Sequence, residues 1–448
     1  MNKQKIFICI ALTFTFSVII GLLIFFHILY PSIVPMADNG NVILFADWTA
    51  IMKAVQCDNL GYDVYVANPC DPWSRKMVYG NILLYSFPFI EKFKLFYYAI
   101  LPISINLIFI FIIVSFFKYE NKFEYLIAAL LVFNYPVLLA IERANFDILI
   151  FILFFLLSIS NKFFINQIIV CLSSLIKFYP VASISVFLFD KKINKSIFNI
   201  VFSISIIGLI LFLHKDSLIK IIDLKGTFTA YGIHSFGLKE SLVILFQFIN
   251  QQEFVQKIPL LYDSSYLSNI DKNDSIKYIY INLGLTNIYL YYIICFILFL
   301  LISIIFVKSY KRVKLISKYN FYKNFSMNYY EDRMFIVCSF IIIFCYLSFS
   351  NIVYREIFFI GLVPFLIKKI DNNENREYFG FFLNFILAKL FLSTVIIMAY
   401  TEQLFANYSV VLLLTKNMID FSLIVIIAIN ISSIFYCFYV KRYLRNEN

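Results

Sequence analysis

The chain is poor in charge, in backbone-bending residues and in histidine. Only 15% of its 448 residues are Asp, Glu, Lys or Arg, where soluble domains carry about 25%. It has 11 Gly and 10 Pro, too few for a collagen-like or low-complexity chain. The three histidines are scattered as His27, His214 and His234, and one histidine alone makes no metal site. HExxH, CxxC, P-loop and GxGxxG motifs are missing, and so are repeats of 20–50 residues and inverted repeats. What is present is apolar. Hydrophobic residues make up 62%, with 54 Phe and 32 Tyr, and the mean hydropathy is +0.84. This composition describes an integral membrane protein and excludes a soluble enzyme, a secreted disulfide scaffold and a disordered binder. A net charge of +11 is therefore read loop by loop for orientation, and not as a sign of nucleic acid.

A span needs about 20 apolar residues. Residues 6–30 follow Lys3 and Lys5 and are too long, with no small-residue cleavage site, for a signal peptide. They are read as a retained first helix. Further spans are expected near 94–117, 123–141, 145–160, 196–213, 277–307, 333–350, 353–368, 378–400 and 418–440. The stretch 163–189 is expected to be two short helices broken at Lys177-Phe178-Tyr179-Pro180, since Pro180 cannot continue the amide ladder. That gives about twelve segments with both termini on one side. Loops on that side hold 20 Lys and Arg in about 63 residues, against 14 in about 151 on the other. By the positive-inside rule the termini are cytoplasmic, and loops 31–92 and 214–276 face outward. The expected division is 1–213 as an N-terminal catalytic transmembrane module, 214–276 as a second outer loop, and 277–448 as a C-terminal transmembrane module.

Ionisable residues near or inside a membrane are functional candidates. Asp47 stands in an amphipathic stretch, Val42 to Val55, expected to lie on the membrane surface. There a carboxylate could serve as a general base, or be a plain solvated helix residue. The loop Gly61-Tyr62-Asp63-Val64-Tyr65, Asn68-Pro69-Cys70-Asp71-Pro72-Trp73-Ser74-Arg75 and Tyr79-Gly80-Asn81 is dense in turn formers, aromatics and carboxylates. Aromatic faces beside carboxylates suit sugar binding; any single aromatic also suits an interfacial belt. Glu142-Arg143-Ala144-Asn145-Phe146-Asp147 is a tight outer turn, a site at a bundle mouth or an ordinary helix cap. Lys177 at a helix break calls for an anion, unless it snorkels to the interface. Arg355, in Tyr354-Arg355-Glu356, could pair with Glu356 or hold phosphate oxygens in its planar fork. His234 is the one outer-loop histidine, a site residue or a structural hydrogen-bonder. Cys57 and Cys70 share the first outer loop, where a disulfide would close a loop of 14 residues and stabilise by about 3 kcal/mol. All five places fall on the outer face. A carboxylate base with phosphate-holding cations there suggests chemistry on a lipid-linked phosphate. Since nucleotide sugars are not found outside the cell membrane, the donor would be a polyprenyl-phosphate sugar.

Four of these motifs, in order, carry a resemblance. The chain resembles membrane-embedded glycosyltransferases of the C-type fold, and more narrowly is similar to glycosyltransferase family 87, the polyprenyl-phosphate-mannose-dependent mannosyltransferases. The residues are Asp47 soon after helix one, Asn68-Pro69-Cys70-Asp71-Pro72 to Tyr79-Gly80, Arg143-Ala144-Asn145-Phe146-Asp147, and Lys177-Phe178-Tyr179-Pro180. The similarity covers about residues 40–195. The chain departs from the family pattern at Tyr79-Gly80, usually Tyr-Pro, and at Arg143-Ala144, usually Gly-Gln.

The resemblance implies an all-α polytopic fold and an inverting transfer of a mannose-like hexose or a pentose to a lipid- or glycan-linked acceptor, on the outer face of a bacterial inner membrane. It implies Asp47 as general base and Arg143, Lys177 and Arg355 as donor-phosphate ligands. Trp48, Asp63, Tyr65, Asn68, Asp71, Arg75, Tyr79, Asn145, Asp147, Tyr179 and His234 would contact sugar or acceptor. Neither a nucleotide nor a metal is expected, although Asp58, Asp63 and Asp71 are what a divalent cation would use. Two alternatives stay open. An O-antigen polymerase or ligase acting on undecaprenyl-diphosphate glycans would use loop 214–276 and His234. A lipid or solute transporter would give Lys389, the one deep charge without a role above, a place in a pathway.

Overall fold

The structure, a computed structural model, describes residues 3–25, 44–87, 89–190, 193–227, 235–237, 325–347, 351–401 and 409–445. These are almost wholly helical, and they form two compact units. The first comprises Met1–Phe228, Met327–Ile341 and Tyr354–Lys369, and the second Thr229–Ser326, Ile342–Val353 and Ile370–Asn448.

In chain order the first unit contains α1 (Lys3–Phe25), α2 (Ala46–Asn59), the short α3 (Ile82–Tyr85), and a π-helical turn Phe96–Ile100 running into α4 (Leu101–Ser115). Next come α5 (Lys122–Val132), α6 (Tyr135–Arg143), α7 (Phe146–Ile159) and α8 (Phe163–Ile176). A 3-10 segment Tyr179–Phe189, α9 (Ile193–Leu213) and α10 (Lys215–Thr227) follow. Helix α4 packs on α1 and α7, and α8 packs on α7, α9 and the 3-10 segment. The core is aromatic: Phe109 meets Phe151 edge to face at 5.1 Å, and Phe358 lies 5.8 Å from both Phe154 and Tyr179. By contrast Phe7, Phe14, Phe198 and Phe212 are exposed along α1 and α9, as suits helices that meet lipid.

Among the described residues, five helices are long and apolar enough to cross a membrane: Lys3–Ile24, Phe96–Ser115, Ile193–Leu213, Arg376–Val395 and Thr415–Phe438. The bent pair α5–α6 makes a sixth candidate. The expected span 277–307 and most of loop 214–276 lie outside the described residues.

Two spans differ from expectation. The stretch 123–141 is two helices bent by 53°. Asn134 makes the break: its carbonyl oxygen accepts from Val137 N at 3.2 Å, while its amide donates to the Leu131 carbonyl at 2.8 Å. Pro136, in the first turn of α6, has no N–H for α5's last carbonyl. The stretch 353–368 begins as a 3-10 segment, Val353–Leu362, which continues as α12 (Val363–Asp371) after α11 (Tyr330–Leu347). The break expected at Lys177–Pro180 stands between α8 and the 3-10 segment Tyr179–Phe189. At about 2.0 Å per residue, that 3-10 geometry carries eleven residues over about 22 Å.

In the second unit, Ser235–Phe236 (β1) and Asn351–Ile352 (β2) pair antiparallel, and α13 (Arg376–Thr401) packs on α14 (Ser409–Arg445). Between these helices the Lys389 ammonium lies 2.9 Å from Asp420 and 2.8 Å from Ser393 Oγ. Lys416 lies 3.2 Å from the same carboxylate, and all three charged residues are buried. Lys389, which had no role on the sequence alone, thus belongs to an ion cluster that fastens two spans. Removing one member strands the others, at a cost of about 3–5 kcal/mol. Asp420→Ala should therefore lower the thermal stability of the detergent-solubilised chain more than any surface Asp→Ala change, as read by loss of its monodisperse size-exclusion peak on heating. An unchanged melting profile would contradict the pairing.

Candidate active site

Asp47 opens α2, where the helix dipole favours a carboxylate. Its place is set by a backbone junction. Phe45 adopts left-handed φ of 58° and donates its N–H to the Glu142 carbonyl at 3.1 Å. The start of α2 is thus tied to the end of α6. Beneath it Trp48 stacks on Phe146 of α7 at 4.7 Å, with planes 9° apart, and donates Nε1–H to the Tyr97 carbonyl at 2.7 Å.

The turn between α6 and α7 supplies the partners. Ala144 takes left-handed φ of 44°, and Asn145 caps α7 by accepting from Asp147 N at 2.9 Å. This geometry aims three side chains the same way. Arg143 Nη2 donates to Asp47 Oδ1 at 2.6 Å, and Asn145 Nδ2 donates to Asp47 Oδ2 at 2.6 Å. The other end of the same Asn145 amide accepts from Lys177 Nζ at 3.0 Å. Lys177 Nζ also lies 2.5 Å from Asp147 Oδ1, which accepts from Tyr179 OH at 2.6 Å. Arg355 Nε stands 3.7 Å from the second Asp147 oxygen, with its guanidinium 4.6 Å from the centre of the Tyr179 ring. Lys177 further sits 5.0 Å above Tyr79 and 5.7 Å above Tyr354, a cation held on aromatic faces. Five segments distant in sequence so converge on one network: Asp47, Tyr79, Arg143 to Asp147, Lys177 to Tyr179, and Tyr354-Arg355.

Burial by itself would push the Asp47 carboxyl up. Arg143, by charge and by hydrogen bond, outweighs it, helped by Arg75 at 3.9 Å and by Asn145, so the group lies below its ordinary 3.8. Tyr79 is brought in by Gly80. A Cβ on Gly80 would lie 1.8 Å from the Leu175 carbonyl, while Gly80 N donates to the Ile176 carbonyl at 3.2 Å. Only glycine lets this loop dock this closely on the end of α8.

Other candidate residues have other work. Asp71 accepts from Trp73 N, Arg75 N, Arg75 Nε and Arg75 Nη2 at 2.8–3.1 Å. Both of its oxygens organise their own loop, where a sugar contact was expected. They hold Arg75, which stacks on Trp73 at 4.3 Å and donates to the Ala46 carbonyl at 3.0 Å. Asn68 donates to the Arg75 carbonyl at 3.0 Å, and Tyr65 OH to the Tyr79 carbonyl at 3.2 Å. Both are buried loop supports, and Trp48 is buried packing. Asp63 pairs with Lys220 of α10, whose hydrogen bond holds its carboxyl low. Cys57 and Cys70 form a disulfide with Cα atoms 5.7 Å apart, closing the base of this loop. His234 lies outside the described residues. Among the described residues no group of three or more His, Cys, Asp and Glu could hold a metal ion.

One site residue was not singled out on its own by sequence. Glu142 is fully buried beside Arg143 and Asp47, and neither of its carboxyl oxygens has a hydrogen-bond partner. Its only signal was a charged residue on the inward side of the Arg143 turn.

No family model, no curated protein and no solved structure matches the chain.

Because Asp47 is held below 3.8 in the folded chain, the stability it contributes is present at neutral pH. It is lost as pH falls through that lowered value. The melting-temperature difference between the wild-type chain and an Asp47→Asn variant should be full at neutral pH and shrink below about pH 4. Asp47→Asn should melt lower at pH 7 and show a shallower acid limb. Parallel acid limbs for the two proteins would remove Asp47 from the ion network.

Proposed function

We propose that the chain is an inverting glycosyltransferase that moves a sugar from a polyprenyl-phosphate donor to a lipid- or glycan-linked acceptor at the outer face of a bacterial inner membrane. The observation that carries this reading is one network in which Asp47 meets Arg143 directly and Lys177 through Asn145, while Lys177 and Arg355 meet at Asp147, within a unit that holds apolar helices long enough to span a membrane. The two partial charges that glycosyl transfer creates are a proton leaving the acceptor and a phosphate leaving the donor. A base and a set of phosphate-holding cations meet those two needs.

In this reading the acceptor hydroxyl oxygen attacks the anomeric carbon from the face opposite the phosphate. The new carbon–oxygen bond forms as the bond to the phosphate oxygen breaks, and that oxygen keeps the bonding pair. The hydroxyl proton passes to an Asp47 carboxylate oxygen. Arg143, Lys177 and Arg355 balance the charge that gathers on the departing polyprenyl phosphate, and arginine can offer two parallel N–H bonds to it. Tyr79 and Tyr354 hold Lys177 between aromatic faces, and Arg355 lies over Tyr179. Asn145 fixes the spacing of the two halves, since its amide donates to Asp47 and accepts from Lys177. Asp147 stays with Lys177 and Tyr179 as the carboxylate that orients them. The C-type arrangement, with about twelve segments and cytoplasmic termini, goes with this reading.

The test is sugar transfer in nanodiscs. Purified chain is offered a panel of radiolabelled polyprenyl-phosphate hexoses and pentoses with membrane extract as acceptor. One donor should be consumed with label moving to lipid or glycan. Asp47→Asn should lower transfer by about a thousandfold or more, the scale of removing a general base together with its charge. Transfer at wild-type rate in the variant would strip Asp47 of its role. Consumption of whole undecaprenyl-diphosphate glycans, with no monosaccharide donor used, would replace the reading by a polymerase or ligase.

A further inference from the structure

The cations of the site are already occupied by carboxylates. Arg143 lies on Asp47, and Lys177 and Arg355 share Asp147. Any phosphate that enters must take hydrogen bonds from side chains now given to these acids. The three cations are unequally placed for this. Lys177 is the most enclosed, held by Asp147, Asn145 and two tyrosine rings, with 7% of its side chain exposed. Arg143 reaches Asp47 with 16% of its side chain exposed. Asp47 in turn keeps other donors if Arg143 leaves: Asn145 at 2.6 Å on its second oxygen and Arg75 Nη1 at 3.9 Å on the first. Arg75 is fixed independently by its fork on Asp71, so it can approach without losing its anchor. Loss of Arg143 therefore does not orphan Asp47; Asp147 would likewise keep Tyr179 at 2.6 Å without Lys177, so it is the enclosure of Lys177 that sets the two cations apart.

We propose that Arg143 is an exchangeable latch: the phosphodiester of the donor lipid draws it off Asp47, so that the base is freed only when donor is bound. This rests on the glycosyltransferase reading for its purpose. The exchange itself is a statement about one arginine and two anions. Asp47 with Arg143 bonded to it is a poor proton acceptor, because its charge is already satisfied. Moving the guanidinium to the phosphate leaves Asp47 more basic and turns one oxygen toward the acceptor. Donor then binds before acceptor, and an unliganded site is quiet toward water and stray hydroxyls. Because binding free energies are reciprocal, whatever weakens the grip of Asp47 on Arg143 must strengthen the grip of phosphate.

The experiment is a binding cycle on the full chain in nanodiscs, with farnesyl phosphate as probe and farnesol and inorganic phosphate as controls. Asp47→Asn should bind farnesyl phosphate about tenfold tighter than wild type, the size of a partly buried charge pair released. Arg143→Gln should bind it more weakly. In the Arg143→Gln background, adding Asp47→Asn should bring no gain. Asp47→Ser carries the same expectation should the Asn form fail to give a folded, monodisperse chain. Farnesol should not respond to either change. Tightening seen with inorganic phosphate as well places the exchange at the phosphate group alone; tightening restricted to farnesyl phosphate adds the lipid chain to the same site. Equal or weaker binding by the Asp47 variants overturns the latch, and so does a gain that survives undiminished without Arg143. The cycle needs no turnover, so it can fail where sugar transfer succeeds, and succeed where transfer fails.

Discussion

A charge among membrane-embedded helices has to be paired, and this demand shapes the first unit. Asp47, Arg143, Asn145, Asp147, Lys177, Tyr179 and Arg355 are joined by hydrogen bonds and ion pairs of 2.5–3.7 Å. Each comes from a chain end or break: the start of α2, the α6–α7 turn, the gap after α8, the start of a 3-10 segment. Helix ends are where backbone geometry can turn a side chain inward and where unsatisfied N–H groups favour acids. The left-handed residues Phe45 and Ala144 sit at two of these ends. Local strain and charge pairing thus occupy the same few positions, as they do where structure is built for chemistry.

The same constraint separates a site from a staple. In the second unit Lys389, Asp420 and Lys416 are paired and buried within packed spans, and the cluster reads as a fastening between α13 and α14. In the first unit Lys177 and Arg355 rest on tyrosine rings, and Asp47 is met from three directions by Arg143, Asn145 and Arg75. A carboxylate with redundant partners can surrender one of them; a carboxylate serving two buried lysines cannot.

Much of this site was legible in the residues, because a charge in an apolar chain is conspicuous. Asp47, Arg143, Lys177 and Arg355 stood out by that rule alone, and Pro180 marked the break that places Lys177. The rest was hidden for physical reasons. Asp71 and Asp47 look alike in sequence, yet one accepts four hydrogen bonds within its own loop and the other takes donors from far along the chain. Trp48 was expected to contact sugar or acceptor, and long-range packing on Phe146 buries it. The bend at Asn134 was lost within a continuous apolar run, since hydropathy does not register a side chain that caps one helix while bonding the end of another. Gly80 read as a departure from a pattern and is instead a contact too close for any Cβ.

The account's central claim is that a lipid-borne phosphate takes its place among these cations. A cryo-EM map of the full chain in nanodiscs with a bound polyprenyl phosphate tests it most directly. The account predicts the phosphate group within hydrogen-bonding distance of Arg143 and near Lys177 and Arg355, with the Arg143 guanidinium turned away from Asp47. A phosphate held elsewhere, or a headgroup in the site with Arg143 still 2.6 Å from Asp47, would contradict it.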